Sequence, residues 1–161
     1  MRVEAGTMYY QQLNQLIRDN SDAEVVVDHV CGQRYLGCSS SGRHFTLYGV
    51  PGNGLGQYLD GSTIEVFGNT QEAVGDTMND GEIIIHGSCG DACGYGMRGG
   101  RILIEGNVGY RAGIHMKAYL DKFPVLVVGG RAGSFLGEYQ AGGLIVILGQ
   151  GANGAYPVSN F

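Results

Sequence analysis

The sequence has no tryptophan, only three prolines and four cysteines, and charged residues make up 16% of it. So little proline excludes a polyproline stalk. Four cysteines are too few for a disulfide-stapled secreted framework and are expected as free thiols of a cytoplasmic protein. No apolar run approaches the roughly 18 residues that span a membrane. The start, Met1-Arg2-Val3-Glu4-Ala5, lacks the apolar core of a signal segment. There is no basic run and no platform of interleaved aromatics, so neither nucleic acid nor membrane is expected as a partner. The formal charge of −5 is unevenly spread. Residues 1–80 hold ten acids and four Lys/Arg, and residues 81–161 hold five acids and six Lys/Arg.

Glycine is what the sequence has in excess: 30 of 161 residues, against a usual share of about 7%. Collagen would need glycine at every third position, which is not the pattern here. Glycine and proline together make 33 of 161 residues, below the roughly 25–30% that marks low complexity. A hydrophobic content of 43% leaves ample material for a core.

The glycines are periodic. Short apolar runs recur, each followed by glycine: FTLYG ends at Gly49, IEVFG at Gly68, IIIHG at Gly87, ILIEG at Gly106, VLVVG at Gly129 and IVILG at Gly149. The steps between these glycines are 19, 19, 19, 23 and 20. A second glycine follows seven residues later at Gly56, Gly75, Gly94 and Gly113, and eight later at Gly137. Three residues further on stand Leu59, Met78, Met97 and Met116, with Gln140 breaking the column. A sustained period of this length is the mark of a solenoid.

Side chains alternate across a strand, so the first and third positions of each run are expected to point inward. These are Phe45, Ile64, Ile83, Ile102, Val125 and Ile145, then Leu47, Val66, Ile85, Ile104, Val127 and Ile147. The fourth position tolerates charge and faces outward: Tyr48, Phe67, His86, Glu105, Val128 and Leu148. Strands this short cannot bury a face alone, but stacked coils can. Each inward side chain then contributes about 1.5–3 kcal/mol on full burial. The ten glycines of the two columns from Gly49 to Gly137 read as bends, or as places where backbones approach too closely for a Cβ. The second position should also face outward, yet it holds Ile84, Leu103, Leu126 and Val146. Four apolar residues in a row form a candidate docking stripe for the helix below, a partner chain, or both.

The ends differ from the middle. Residues 7–19 read as a helix with Tyr9, Leu13, Leu16 and Ile17 on one face and Thr7 as N-cap. Glu24–Gly37 reads as a degenerate first coil, with Cys31-Gly32 in the slot of Cys93-Gly94. A loop should project within Lys117–Pro124. The whole chain is expected to be one domain: a cap at 1–24, coils at 25–151 and a tail at 152–161. A hexapeptide β-helix, three hexapeptides to the coil, would repeat at a shorter interval and without paired glycines. The observed period argues against it.

Catalytic signatures are sparse. Gly94-Tyr95-Gly96-Met97-Arg98-Gly99 spells GxGxxG, but a strand rather than a helix follows, so it reads as a solenoid turn. No phosphate-binding G-x-x-x-x-G-K-[ST] occurs. Cys31, Cys38, Cys89 and Cys93 lack C-x2-C spacing for zinc or iron–sulfur ligation. His29, His44, His86 and His115 share no spacing. Arg98, Arg101, Arg111 and Arg131 in neighbouring coils form a weak candidate anion face. No catalytic, cofactor-binding or metal-binding residue is assigned to this chain.

The segments GDACGYGMRGGRILIEGNVGYRAGIHM and GSFLGEYQAGGLIVILG resemble the GXGXG domain at the C-terminus of the glutamate synthase large subunit. They are also similar to a formylmethanofuran dehydrogenase component of the same superfamily. The resemblance runs from about Val25 to Gly151. It implies an all-β, single-stranded right-handed parallel β-helix of about six to seven coils with a short N-terminal helix. It further implies a structural subunit of a glutamate synthase-like oxidoreductase complex in glutamate biosynthesis, without catalytic residues of its own. Glutaminase and flavin-binding synthase chains would be its partners and would carry FMN and Fe–S groups, and a homo-oligomer is a further option. The chain cannot supply those activities itself. Arg2 follows Met1 where an N-terminal nucleophile would be needed, and a flavin-binding barrel takes about 250 residues. A formylmethanofuran dehydrogenase-type complex and an independent solenoid enzyme are the alternatives.

Overall fold

The computed structural model describes residues 1–151 together with 154 and 155. Its elements are β1 (Arg2–Glu4), α1 (Tyr10–Asp19), β2 (Glu24–Cys31), β3 (His44–Val50), β4 (Asp60–Phe67), β5 (Asp80–Ile85), β6 (Arg101–Ile104), β7 (Val125–Val128), β8 (Leu144–Ile147), β9 (Gln150–Gly151) and β10 (Gly154–Ala155). Strands β1 to β8 form one sheet in chain order, and every neighbouring pair is parallel. From β2 onward, consecutive parallel neighbours with no helix between them mean that the chain winds: the protein is a parallel β-solenoid of about seven turns. Most of the expected tail at 152–161 lies outside the described residues.

The core is a stack of like residues. Phe45, Ile64, Ile83 and Ile102 pair in register, as do Leu47, Val66, Ile85 and Ile104, and all eight are buried. The columns Leu55, Val74, Cys93 and Ala112, and Leu59, Met78, Met97 and Met116, close the core from the turn side and are also buried.

The fifth coil corrects the sequence register. Ile102 pairs with Leu126 and Ile104 with Val128, so Leu126 and Val128 point inward at 0% exposure. Val125 and Val127, expected inside, take the outer face. The Gly129-Gly130 doublet hid this. Gly106 donates its N–H to the carbonyl of Gly87, and Gly130 donates to that of Gly106, so Gly130 continues the column. Gly129 instead takes the outward place after Glu105, where an added Cβ would lie 2.2 Å from the Glu105 carbonyl oxygen. Counted from Gly106 to Gly130, the long step exceeds the regular one by five rather than four. Gly137 then follows after seven, as in the four preceding coils. The insertion forms a small hairpin in which Tyr119 bridges Lys122, and Leu120 at its tip is 85% exposed.

The two glycine columns answer different constraints. Gly75 has φ +65, and an added Cβ would lie 2.5 Å from Ile102 Cδ1. Gly87 has no unusual φ, but its Cβ would meet the Gly68 carbonyl oxygen at 2.5 Å. The first column lets the chain turn beneath a core isoleucine, and the second lets adjacent backbones touch.

Flanking the first column, residues two before and two after also have positive φ in every coil, as at Ala73 and Thr77, Ala92 and Gly96, Arg111 and His115. Non-glycine residues accept this conformation at a cost of about 1–2 kcal/mol each. It is offset by an alternating ladder between coils. Ala73 N–H bonds forward to Asp91, Gly75 back to Leu55 and Thr77 forward to Tyr95. A side-chain ladder reinforces it: Asn69 accepts from the Ser88 backbone N–H, Ser88 from Asn107 and Asn107 from Arg131.

At the N-terminal end β1 extends the sheet, and α1 lies on the first coil. Leu13 and Ile17 join the core. Asn14 donates to the Arg34 carbonyl at 2.8 Å, and Arg43 to that of Ile17 at 3.0 Å. The helix starts three residues later than expected. Tyr9 takes the N-cap position without a side-chain cap, and Thr7 is not involved. Leu16, placed on the buried face by periodicity, is 42% exposed. Leu36-Gly37, not Cys31-Gly32, fills the slot equivalent to Cys93-Gly94: Leu36 is fully buried and Cys31 is exposed.

Candidate interaction surface

The outer face of the sheet carries three rows of side chains, and their chemistry changes along the rod. The middle row runs Val26, Thr46, Glu65, Ile84, Leu103, Val127 and Val146 in register. The stripe expected at Ile84, Leu103, Leu126 and Val146 is therefore corrected at one place. Leu126 belongs to the core and Val127 stands in the stripe. Ile84, Leu103, Val127 and Val146 are all half-buried. Val125 and Leu144 lie alongside them in the preceding row. The helix does not reach this stripe, because its polar contacts and buried residues belong to the first coil.

Toward the N-terminal end the same face is aromatic and charged. Tyr48 stacks on Phe67 at 5.2 Å between centroids, and Phe67 on His86 at 4.6 Å. His86 closes the column between two carboxylates. Its Nε2 is 2.7 Å from Glu65 Oε1 and its Nδ1 3.3 Å from Glu105 Oε2. The Glu65 hydrogen bond, against some desolvation and with help from Glu105, raises the His86 pKa above the ordinary imidazole value. His86 and Glu105 share the fourth-position row one period apart, but Glu65 stands in the middle row two residues off, so no column announces all three. Only the register brings them together.

The remaining sequence candidates do not converge. Arg101 pairs with Glu82 at 2.7 Å, while Arg98 lies over the Tyr119 ring and Arg111 over Phe135. They form no common anion face. His29 pairs with Glu4, His44 approaches Glu24 at 3.7 Å, and His115 stacks on Tyr139. Among the described residues no group of three or more His, Cys, Asp or Glu is arranged to hold a metal ion. The Gly94–Gly99 segment is a turn leading into β6.

The four thiols are free. Cys89 and Cys93 are buried together, and their shared hydrogen bond holds Cys89 below the ordinary thiol value. The same bond, with burial, pushes Cys93 well above it. Burial raises Cys38 to about 11. A shallow cleft of about 620 Å³ between the projecting hairpin and the wall is lined by Asp80, Glu82, Arg101, Asp121 and Lys122 among others. Three of these charges are already engaged, Arg101 with Glu82 and Lys122 with Asp60. No nucleophile, base and oxyanion donor come together there.

A stack of coils, each turning through alternate positive-φ positions and spelling Gly52-Asn53-Gly54-Leu55-Gly56 in one of them, agrees with a match to the GXGXG motif family over residues 20–156. The chain belongs to the GXGXG family. An uncharacterized protein of Methanocaldococcus jannaschii is 52% identical to it over 153 residues. The match covers 91% of this chain and 59% of that protein, so the chain spans well under two thirds of the relative's length. No solved structure matches. No helix in the described part of this GXGXG chain is long and apolar enough to cross a membrane.

Proposed function

We propose that the chain is a structural, non-catalytic subunit of a cytoplasmic glutamate synthase-like complex, serving glutamate biosynthesis and nitrogen assimilation. In this reading the rod is a rigid spacer. Glutaminase and flavin-binding synthase chains dock on it and carry the FMN and Fe–S groups. The observation that carries the proposal is the half-buried apolar stripe Ile84, Leu103, Val127 and Val146 on an otherwise regular wall. An apolar row left wet along a rod is what a partner chain covers. Membership of the GXGXG family supports the choice of complex.

The test is affinity capture of the tagged chain from its native source, with flavin absorbance, glutaminase activity and peptide identification as readouts. Co-purification of a flavin-binding chain and a glutaminase is expected. Leu103→Asp on the stripe should release them while leaving the circular dichroism unchanged. Capture of a molybdenum- or tungsten-containing partner would instead assign the rod to a formylmethanofuran dehydrogenase-type complex. Substrate turnover by the isolated, metal-replete chain would make it an enzyme in its own right and overturn the proposal.

A further inference from the structure

Among the described residues, three features of the outer wall lie side by side in mid-rod: the apolar stripe, a row of side chains on either side of it, and the cleft beside the hairpin. The row before the stripe runs Thr63, Glu82, Arg101 and Val125 in register. The row after it runs Phe67, His86, Glu105 and Gly129. In β6, Arg101 and Glu105 stand four residues apart on either side of Leu103, a separation of about 13 Å along the strand.

A second copy of the chain complements all three features. Two such walls can face each other about a two-fold axis that runs along the rod, between the sheets. That axis keeps each coil opposite its own copy and exchanges the row before the stripe with the row after it. Ile84 then meets Ile84, Leu103 meets Leu103 and Val127 meets Val127. Arg101 faces the partner's Glu105, and Glu82 faces the partner's His86. Val125 faces the bare backbone of the partner's Gly129. The Glu65 hydrogen bond favours the charged form of His86, which suits a facing carboxylate. The contact is isologous, the same patch serving both copies.

The chemical gradient along the rod selects this axis. An axis along the strands would reverse the order of the coils. Centred on β6, it would set Arg101 against Arg101 and Glu105 against Glu105. Centred between β5 and β6, it would set Val127 against Glu65, an apolar side chain against a carboxylate. The axis along the rod instead keeps apolar beside apolar and opposite charges together. Glu65 would meet its own copy, but each is held by His86 at 2.7 Å, so the contact centres on β5 to β7. The cleft of about 620 Å³ opens over Glu82, Arg101 and Val125, so the facing His86 and Glu105 would enter it. Phe123 on its rim and Phe67 in the facing row are both exposed in the single chain and would be covered. Aromatic side chains buried among paired charges are typical of a specific interface.

We propose that two copies of this chain pack wall to wall through Ile84, Leu103 and Val127, about a two-fold axis along the rod, with Arg101 of each against Glu105 of the other. The inference rests on the reading that a protein chain covers the stripe, and it names that chain. The glutaminase and flavin-binding synthase chains would dock on the paired rods, and Leu103→Asp would release them by parting the pair.

Sedimentation equilibrium of the purified chain should give twice its 17.1 kDa mass. Arg101→Glu sets carboxylates face to face at two equivalent places and should weaken the dimer by about 100-fold. Adding Glu105→Arg should restore it. Within one chain the two positions are too far apart to touch, so rescue reports a contact between copies. Circular dichroism should be unchanged in both variants. A monomer at high micromolar concentration, a dimer indifferent to Arg101→Glu, or a double variant as weak as the single one would each overturn the proposal. The measurement is separate from affinity capture. A dimer that captures neither a flavin-binding chain nor a glutaminase upholds this inference and overturns the complex, and a monomer that captures both does the reverse.

Discussion

The two ends of the rod contain the same columns of residues in different circumstances. Val25 and Val27, in the first full coil, are completely buried because β1 and α1 close that end. Ile145 and Ile147 occupy the equivalent columns in the last described coil and remain partly exposed. The side chains in the last described coil are the larger ones. Burial in a solenoid is thus conferred by the neighbouring coil rather than by the residue, and each coil's stability depends on what lies beyond it. The outer wall shows a parallel gradient, from carboxylates and stacked aromatics near the cap to Val127, Val146 and Leu148 in the last two described coils.

The largest effect expected from this contrast is in the core. Ile102→Ala, in mid-rod, should cost about 4 kcal/mol and Ile145→Ala about half that, because the mouth has less to lose and relaxes more easily. Urea unfolding monitored by circular dichroism measures both, and equal losses would show that the last coil is as well covered as the middle. The glycines give a second pair. Gly75→Ala combines φ +65 with a Cβ 2.5 Å from Ile102 Cδ1, and should cost about 2–3 kcal/mol. Gly137→Ala has nearly the same φ, but its nearest neighbour is Gln140 Oε1 at 3.1 Å. It should cost about 1 kcal/mol. The same unfolding curves test the pair, and equal losses would mean that the contact with Ile102 adds nothing to the turn.

Thiol labelling compares the capped end with the middle. In the native protein Cys31 should react with Ellman's reagent at once, and Cys38 slowly because burial holds its pKa at about 11. Cys89 and Cys93 should react only when the coils separate. Four prompt thiols without denaturant would mean that the mid-rod opens readily. The smallest effect concerns His86. Its pKa is raised chiefly by the hydrogen bond to Glu65. Its contribution to stability is therefore fully present below the ordinary value of about 6.5 and is lost as pH rises through the higher folded value. The group is half-exposed, so the contribution should stay below about 1 kcal/mol. Glu65→Gln should lower the His86 midpoint in an NMR titration, and an unchanged midpoint would show that the pair does not form in solution.

Most of the fold was legible because the repeat is written in residue types that have few alternatives. Isoleucine and valine at alternate positions specify a buried wall. Glycine at fixed offsets marks bends and close approaches. What misled the reading was local. In Gly129-Gly130 either residue satisfies the pattern, and the choice moves the preceding strand by one residue, which exchanges its faces. Leu126 was thereby placed outside and Val127 inside. The positive φ of Ala73, Thr77, Arg111 and Phe135 was also invisible, because these residues have no intrinsic preference for it and are held there by hydrogen bonds from neighbouring coils.

The sequence by itself determined the period, the inward columns of the regular coils and the presence of an apolar outer row, since each follows from spacing and side-chain chemistry within one coil. Only the tertiary structure decided the register across the insertion, the meeting of His86 with Glu65, and the positive-φ turns between coils. Those depend on which atoms of one coil lie above those of another, and contact between coils is set by stacking geometry rather than by any residue's own preference.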